Sequence, residues 1–287
     1  MWYFIAILSG FLMATADALS KRSGRQTSAL TLAWIREAYA LPFLLPLLFF
    51  IEIPRVDAIF WWAIAGCVGL DLLSTFLYMR AIRTAPLSLT VPYLGLTPLF
   101  LLLIPTVLLG EKLQLLGVVG VLSVSVGTYV LQIDRLREGW FKPWQAIFQN
   151  RGSLYMLIVA IIYALTATLG KLAIQHSSPL FMAIVYFSLL AVGFTPLVLR
   201  YTKGDLKPLY AQPFAFIKIG GAMALMAISH FTAINHIPVA YMISLKRLSL
   251  LFAILYGFYW FKEGNLRARL LGGLFIVAGA FLIALAG

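Results

Sequence analysis

The sequence predicts an all-α integral membrane protein of ten transmembrane helices, arranged as two five-helix inverted repeats. Three observations lead there. The chain is 62% hydrophobic with a mean hydropathy of +0.95, more apolar surface than a water-soluble domain of 287 residues can bury. Its apolar runs are each close to the roughly 20 residues that a helix needs to cross a hydrocarbon core of about 30 Å. And the chain repeats itself at an offset of 152: Ala81, Ile82, Pro86, Leu96, Leu99, Phe100, Leu103 and Glu111 recur as Ala233, Ile234, Pro238, Leu248, Leu251, Phe252, Leu255 and Glu263.

The segments are taken in order. The first, near 2–20, starts at Trp2 with no basic stretch before it and no small-residue cleavage site after it, which predicts a retained helix. The second, 29–50, carries Arg36, Glu37 and Pro46, and the third, 59–79, carries Cys67, Asp71 and Tyr78. The fourth, 87–108, holds Tyr93 and three prolines, Pro92, Pro98 and Pro105. The fifth, 113–132, is dotted with Gly117, Gly120 and Gly127, which permit close helix packing. The connection 133–152 has Trp140, Phe141, Trp144 and Phe148 among basic residues and suits an amphipathic piece lying in the headgroups. The sixth and seventh segments, 153–175 and 179–199, carry Tyr163, Lys171, Tyr186 and Pro196, and the eighth, 214–235, carries His230. The ninth, 238–260, holds Tyr241, Lys246 and Arg247; the tenth, 266–286, repeats the glycines as Gly272, Gly273 and Gly279. The domains are therefore 1–132 and 153–286, joined by 133–152.

Charge sets the topology. The connections after the odd-numbered segments carry 15 of the 22 Lys and Arg residues, whereas the opposite connections carry only Arg55 and Lys112. The basic side faces the cytoplasm, which puts both termini outside. An odd number of helices per half inserts the second copy upside down, with a pseudo-two-fold axis in the membrane plane. The net charge of +12 is explained by this bias and not by nucleic acid, for which the chain has no suitable basic run. The single cysteine, Cys67, allows no internal disulfide, and no metal-ligand spacing is present.

With two halves of this kind, the chain resembles the EamA domain of the drug/metabolite transporter superfamily. The residues that carry the resemblance are Lys21 and Lys171 closing each first helix, Arg36, the stretches Ala81 to Pro86 and Ala233 to Pro238, and the acidic residues of GEKLQ and KEGNL. The resemblance implies a transporter of small organic solutes, an exporter without ATP hydrolysis. The second copy departs from the first: Arg36 aligns with Tyr186 and Gly110 with Lys262, so the halves should contribute unequally to a site.

An ionisable side chain inside a membrane helix costs about 2.5–3.5 kcal/mol on insertion scales, so such groups usually face a cavity or a partner. Lys246 and Arg247 lie about two turns into the ninth segment, opposite Leu94 and Gly95 of the first copy. They read either as a cationic anchor for an anionic solute or as ion-pair partners of Asp71 or Glu37. Arg36 is an interhelix clamp or a substrate contact. Asp71, with His230 and Glu37, is the candidate set for proton coupling; a packing role for His230 stands beside it. Tyr78, Tyr93, Tyr163 and Tyr241 are candidate solute contacts, against the plainer reading of buried aromatics. Asp17 and Lys21, one turn apart, suit a local pair, and Lys171 suits snorkelling to the headgroups. Pro46 and Pro196 match at an offset of 150 and predict similar bends in the second and seventh segments; with Pro98 they are the candidate hinges.

The expectation is a secondary transporter, not an enzyme. It would alternate access to a zwitterionic or anionic metabolite, such as an amino acid or organic acid, either coupled to protons or as a uniporter. Segments one to four and six to nine would enclose the cavity, with the fifth and tenth bracing it. Lipid-linked or nucleotide sugars and lipophilic cations are the other solutes weighed, and a membrane sensor or assembly subunit is the non-transport alternative. No cofactor is expected. The partners are the solute and the bilayer of a bacterial inner membrane, and the chain acts as a monomer or homodimer.

Overall fold

The computed structural model of the chain describes residues 1–23, 27–84, 91–133, 150–262 and 270–286. In order, the helices are α1 (Trp2–Ser23), α2 (Ala29–Ala38), α3 (Leu41–Leu44), α4 (Ala58–Thr84), α5 (Thr97–Leu109), α6 (Leu115–Ile133), α7 (Arg151–Gln175), α8 (Pro179–Tyr201), α9 (Lys207–Tyr210), α10 (Pro213–His236), α11 (Val239–Lys246), α12 (Ser249–Phe261) and α13 (Leu270–Leu285). Two 3-10 turns, Leu45–Phe49 and Val91–Leu96, follow α3 and precede α5. Among the described residues, seven apolar spans are long enough to cross a membrane, with α2 to Phe49 and α11 to α12 each counted as one span. Three shorter apolar helices, Tyr93–Leu109, Leu115–Leu131 and Leu271–Leu285, accompany them. Large apolar side chains such as Phe4, Trp62, Leu103 and Phe214 face outward, as lipid-facing residues do.

Local chemistry fixes the helix starts. The Ser28 hydroxyl accepts from Thr31 N at 3.1 Å, Asn150 from Gly152 N at 2.9 Å and Asp57 from Phe60 N at 3.0 Å, each satisfying a backbone donor left open by the first turn. Pro179 and Pro213 open α8 and α10, where a missing N–H costs nothing.

The second segment is not one helix. It stops after Ala38, turns at Tyr39 and Ala40, and resumes as α3 and a 3-10 turn over Leu45–Phe49. Pro42 and Pro46, four residues apart, each remove a backbone donor, so the α ladder cannot run through. Pro196 has no such neighbour and sits inside the unbroken α8. The two matching prolines therefore do not bend their segments alike. The fourth segment also divides, into Val91–Leu96 and α5, with Pro98 in the first turn and Pro105 inside.

The ninth segment divides at the equivalent place, although it lacks those prolines: α11 ends at Lys246 and α12 begins at Ser249. Thr97 and Ser249, and Leu109 and Phe261, differ by 152, so α5 and α12 are the same 13-residue helix in two copies. Each ends on a left-handed residue, Gly110 at φ 66° and Lys262 at φ 52°. Glycine takes that conformation freely; a lysine there is strained by about 1 kcal/mol.

α1 packs along α10 and α4 along α7, while α6 packs along α13. In the α6–α13 crossing the glycines admit backbone contact. A Cβ on Gly127 would lie 2.6 Å from Gly272 O, and one on Gly120 2.7 Å from Gly279 O. Ser123 Oγ donates to Phe275 O at 2.8 Å, and Phe275 is the residue 152 positions after it. Gly120 meets the counterpart of Gly127, Gly127 meets the counterpart of Gly120, and Ser123 meets its own counterpart. Reciprocal contacts of this kind belong to a two-fold relation. The expectations placed on Arg25, Pro86, Glu263 and the aromatic residues of 133–152 lie outside the described residues.

Candidate functional site

A cavity of about 590 Å³ lies among the helices. It is lined from α1 (Met13), α2 (Arg36, Glu37), α4 (Cys67, Asp71, Ser74, Tyr78), α5 (Thr97), α7 (Tyr163, Thr166), α8 (Met182, Tyr186), α10 (Met223, His230) and the α11–α12 break (Lys246, Arg247, Ser249). α6 and α13 contribute nothing to the lining and pack on each other outside it. The cavity thus has the walls and the two bracing helices expected from the sequence.

Eight sequence candidates meet on this wall: Lys246, Arg247, Arg36, Glu37, Asp71, His230, Tyr78 and Tyr163. Lys246 and Arg247 both line it, and they occupy the break itself, Lys246 as the last residue of α11 and Arg247 as its cap. Arg247 Nη2 donates to Leu94 O, at 2.8 Å, on the 3-10 turn before α5. The ion pairs among the described residues are Arg36–Asp17, Lys171–Glu111 and His176–Asp57. Neither Lys246 nor Arg247 is paired with Asp71 or Glu37, so the ion-pair reading of these cations fails. Asp71 is held instead by the Tyr186 hydroxyl, which donates to Oδ2.

Arg36 is a clamp. Nη1 donates to Asp17 Oδ1 at 2.6 Å, and Nη2 points at Met13 Sδ and Met223 Sδ, tying α2 to α1 and α10 at the edge of the cavity. Asp17 thereby pairs with Arg36 and not locally with Lys21, whose ammonium lies 4.4 Å from the Phe261 ring centre. Tyr93 and Tyr241 are corrections: neither lines the cavity. Tyr241 OH accepts from Gln114 N at 3.0 Å, and its ring occupies the space that a side chain at Gly117 would need. Tyr93 is buried with Ala81, Leu96, Met156 and Val159. Pro98 is buried, while Pro46 and Pro196 are exposed and stand apart from the cavity wall.

Lys171 does not snorkel. It is 8% exposed, donates from Nζ to Glu111 Oε1 at 2.6 Å and to Ile237 O at 2.9 Å. Glu111 in turn accepts from Val239 N at 2.9 Å, capping the first turn of α11. This network was not foreseen, though its parts were visible: a lysine and a glutamate each recur in both copies, as Lys21 and Lys171 and as Glu111 and Glu263. Thr97 was missed outright, because a threonine in an apolar segment has no sequence signal until the helix break beside it is known. Among the described residues, no three His, Cys, Asp or Glu side chains gather as a metal site.

Comparison with known proteins agrees with this architecture. A solved chain described only as the crystal structure of a protein superposes with a TM-score of 0.79 at 18% identity, covering 100% of this chain and 99% of that one; it bears on the fold alone. No curated protein matches. The model of the EamA-like transporter family matches residues 1–133 and 150–285, nearly the whole length and in two copies. With its apolar spans and its polar cavity, the chain is a multi-pass integral membrane protein and belongs to the EamA-like transporter family.

Proposed function

We propose that the protein is a secondary transporter that exports a small zwitterionic or anionic organic solute by alternating access. Ten transmembrane helices form two oppositely inserted halves, 1–132 and 153–286, in a bacterial inner membrane with both termini outside. The observation that carries the reading is the cavity: about 590 Å³, within the usual range for a small-molecule site, and lined by two cations, Lys246 and Arg247, that form no close ion pair among the described residues. A cation is costly in such a place unless something anionic joins it. Asp71, Glu37 and His230 on the same wall provide carboxylates and an imidazole for a solute ammonium or for proton coupling. The broken spans beside the cavity support the moving parts, since irregular backbone at membrane depth is tolerated where it lines a cavity.

Reconstituted vesicles test it. Radiolabelled amino acids and organic acids are screened for counterflow, and the solute found is then measured in Lys246→Gln and Arg247→Gln. Loss of flux in either variant is expected; equal flux in both and the unaltered protein would remove the anchor. Asp71→Asn is expected to abolish accumulation driven by a pH gradient while sparing counterflow. Accumulation that survives in Asp71→Asn would exclude Asp71 as the proton carrier.

A further inference from the structure

Among the described residues, Glu37 Oε2, Thr97 Oγ1, His230 Nδ1 and Arg247 Nε are buried with no hydrogen-bonding partner, and all four residues line the cavity. A buried polar atom left unpaired is expensive, and several facing one space point to a ligand that pairs them. Two of the four are brought together by the backbone. The Arg247 guanidinium is fixed through Nη2 to Leu94 O at 2.8 Å. Leu94 lies in the 3-10 turn Val91–Leu96, and Thr97, the first residue of α5, follows it by three. At a rise of about 1.5–2.0 Å per residue, the Thr97 Cα lies about 5–6 Å along the chain axis from that of Leu94, whose carbonyl holds the arginine. Thr97 is only 2% exposed, so its hydroxyl has the cavity and not bulk solvent before it.

We propose that Thr97 is a specificity-determining residue: its hydroxyl and the Arg247 Nε–H together seat an anionic oxygen group of the solute, a carboxylate or a phosphate. The inference rests on the transport reading above. Leu94 O positions the guanidinium, leaving Nε–H as a directed donor. Lys246, the neighbouring residue, adds charge. The guanidinium N–H can only donate, and the threonine hydroxyl can donate beside it, so the group they share must be an acceptor, and the fixed positive charge favours an ionised one. A neutral solute would leave that charge unanswered.

The test is binding to the full-length detergent-purified protein, followed by its thermal midpoint and by titration. The probes are L-leucine and succinate, which carry carboxylates, glycerol phosphate, and glucose as the neutral solute. The variants are Thr97→Val, Thr97→Ser and Arg247→Lys. At least one charged probe is expected to bind, and which one does separates carboxylate from phosphate. Its dissociation constant should weaken about 10- to 100-fold in Thr97→Val, the loss expected for one hydrogen bond to a charged group. Thr97→Ser should restore it, and Arg247→Lys, which keeps the charge but loses the Nε donor, should follow Thr97→Val. The midpoint of ligand-free Thr97→Val should not fall, because the hydroxyl has no partner in the protein to lose. Undiminished binding in Thr97→Val would overturn the proposal, as would binding of glucose alone or of none of the four probes. Solute flux in vesicles, measured separately, decides the transport reading whichever way this binding test falls.

Discussion

Removing one partner of the Lys171–Glu111 pair should be among the most damaging single changes in the chain. Lys171 and Glu111 side chains are 10% and 9% exposed, and Nζ lies 2.6 Å from Oε1. At an effective dielectric of about 20, two unit charges at that distance attract by about 6 kcal/mol, much of which offsets the cost of taking both out of water. The surplus comes from the neutral partners: Nζ also donates to Ile237 O, and the carboxylate also accepts from Val239 N. Glu111→Leu leaves the ammonium buried with one carbonyl and uncaps α11. Breaking such a pair costs about 3–5 kcal/mol, of which the cap accounts for about 1 kcal/mol. Lys171→Met should cost less than Glu111→Leu, because Glu111 keeps Val239 N. The double variant should be more stable than the sum of the two single losses predicts, since it leaves neither charge alone. Denaturant unfolding of the detergent-purified protein, run as a double-mutant cycle, measures all three. A loss under about 1 kcal/mol in Glu111→Leu, or strict additivity in the cycle, would refute the claim that this pair is desolvated and mutually dependent.

Two other changes have signs fixed by the geometry. Gly127→Ala puts a Cβ 2.6 Å from Gly272 O, a backbone atom that cannot move without parting α6 from α13, so the thermal midpoint should fall; Gly69→Ala, with nothing within 4 Å, should raise it by the helix preference of alanine over glycine, about 1 kcal/mol. Equal effects at the two sites would show that the crossing is not tight. At the start of α4, the Phe60 N–H bond and then the His176 ring hold the Asp57 carboxyl below its ordinary range. A lowered folded-state pKa gives stability that is present above the unfolded value of about 3.9 and is lost as pH falls through the lower folded value. The midpoint of the unaltered protein should therefore fall more steeply than that of Asp57→Asn as the pH drops below about 4; parallel curves would show that the cap does not persist in solution.

The segments could be read from the sequence because lipid leaves few choices: a run of about 20 apolar residues must close its own hydrogen bonds, and a helix does so. The cavity wall could be read for the same reason, since Asp71, Lys246 and Arg247 are too costly to face lipid. The aromatic candidates could not be sorted. Tyr78 and Tyr163 line the cavity while Tyr93 and Tyr241 do not, and their hydropathy is the same; what separates them is which neighbour fills their space, as Gln114 and Gly117 do for Tyr241. The break in the second segment depended on two prolines four apart acting together, which a match at Pro46 and Pro196 alone conceals. Lys171 was misjudged because its position near a helix end suits snorkelling, and only the fold reveals that Glu111 reaches the same point.

The placement of the charges follows from where the two copies meet. Arg247 corresponds to Gly95, and it bonds to Leu94, the residue beside its own counterpart. Ser123 bonds to Phe275, its counterpart, on the outer crossing. Both contacts lie where equivalent positions approach one another, that is, close to the axis of the two-fold relation. The first copy carries no charge at the equivalent positions, Leu94 and Gly95; Leu94 offers its carbonyl to the other copy's guanidinium, and a side chain at Gly95 would meet Thr128 of α6. The helix break, the left-handed end and the glycine crossing recur in both halves because a scaffold can be symmetric. The cation near the axis occurs once, so on the proposed reading a solute there would meet a wall whose halves have taken different parts.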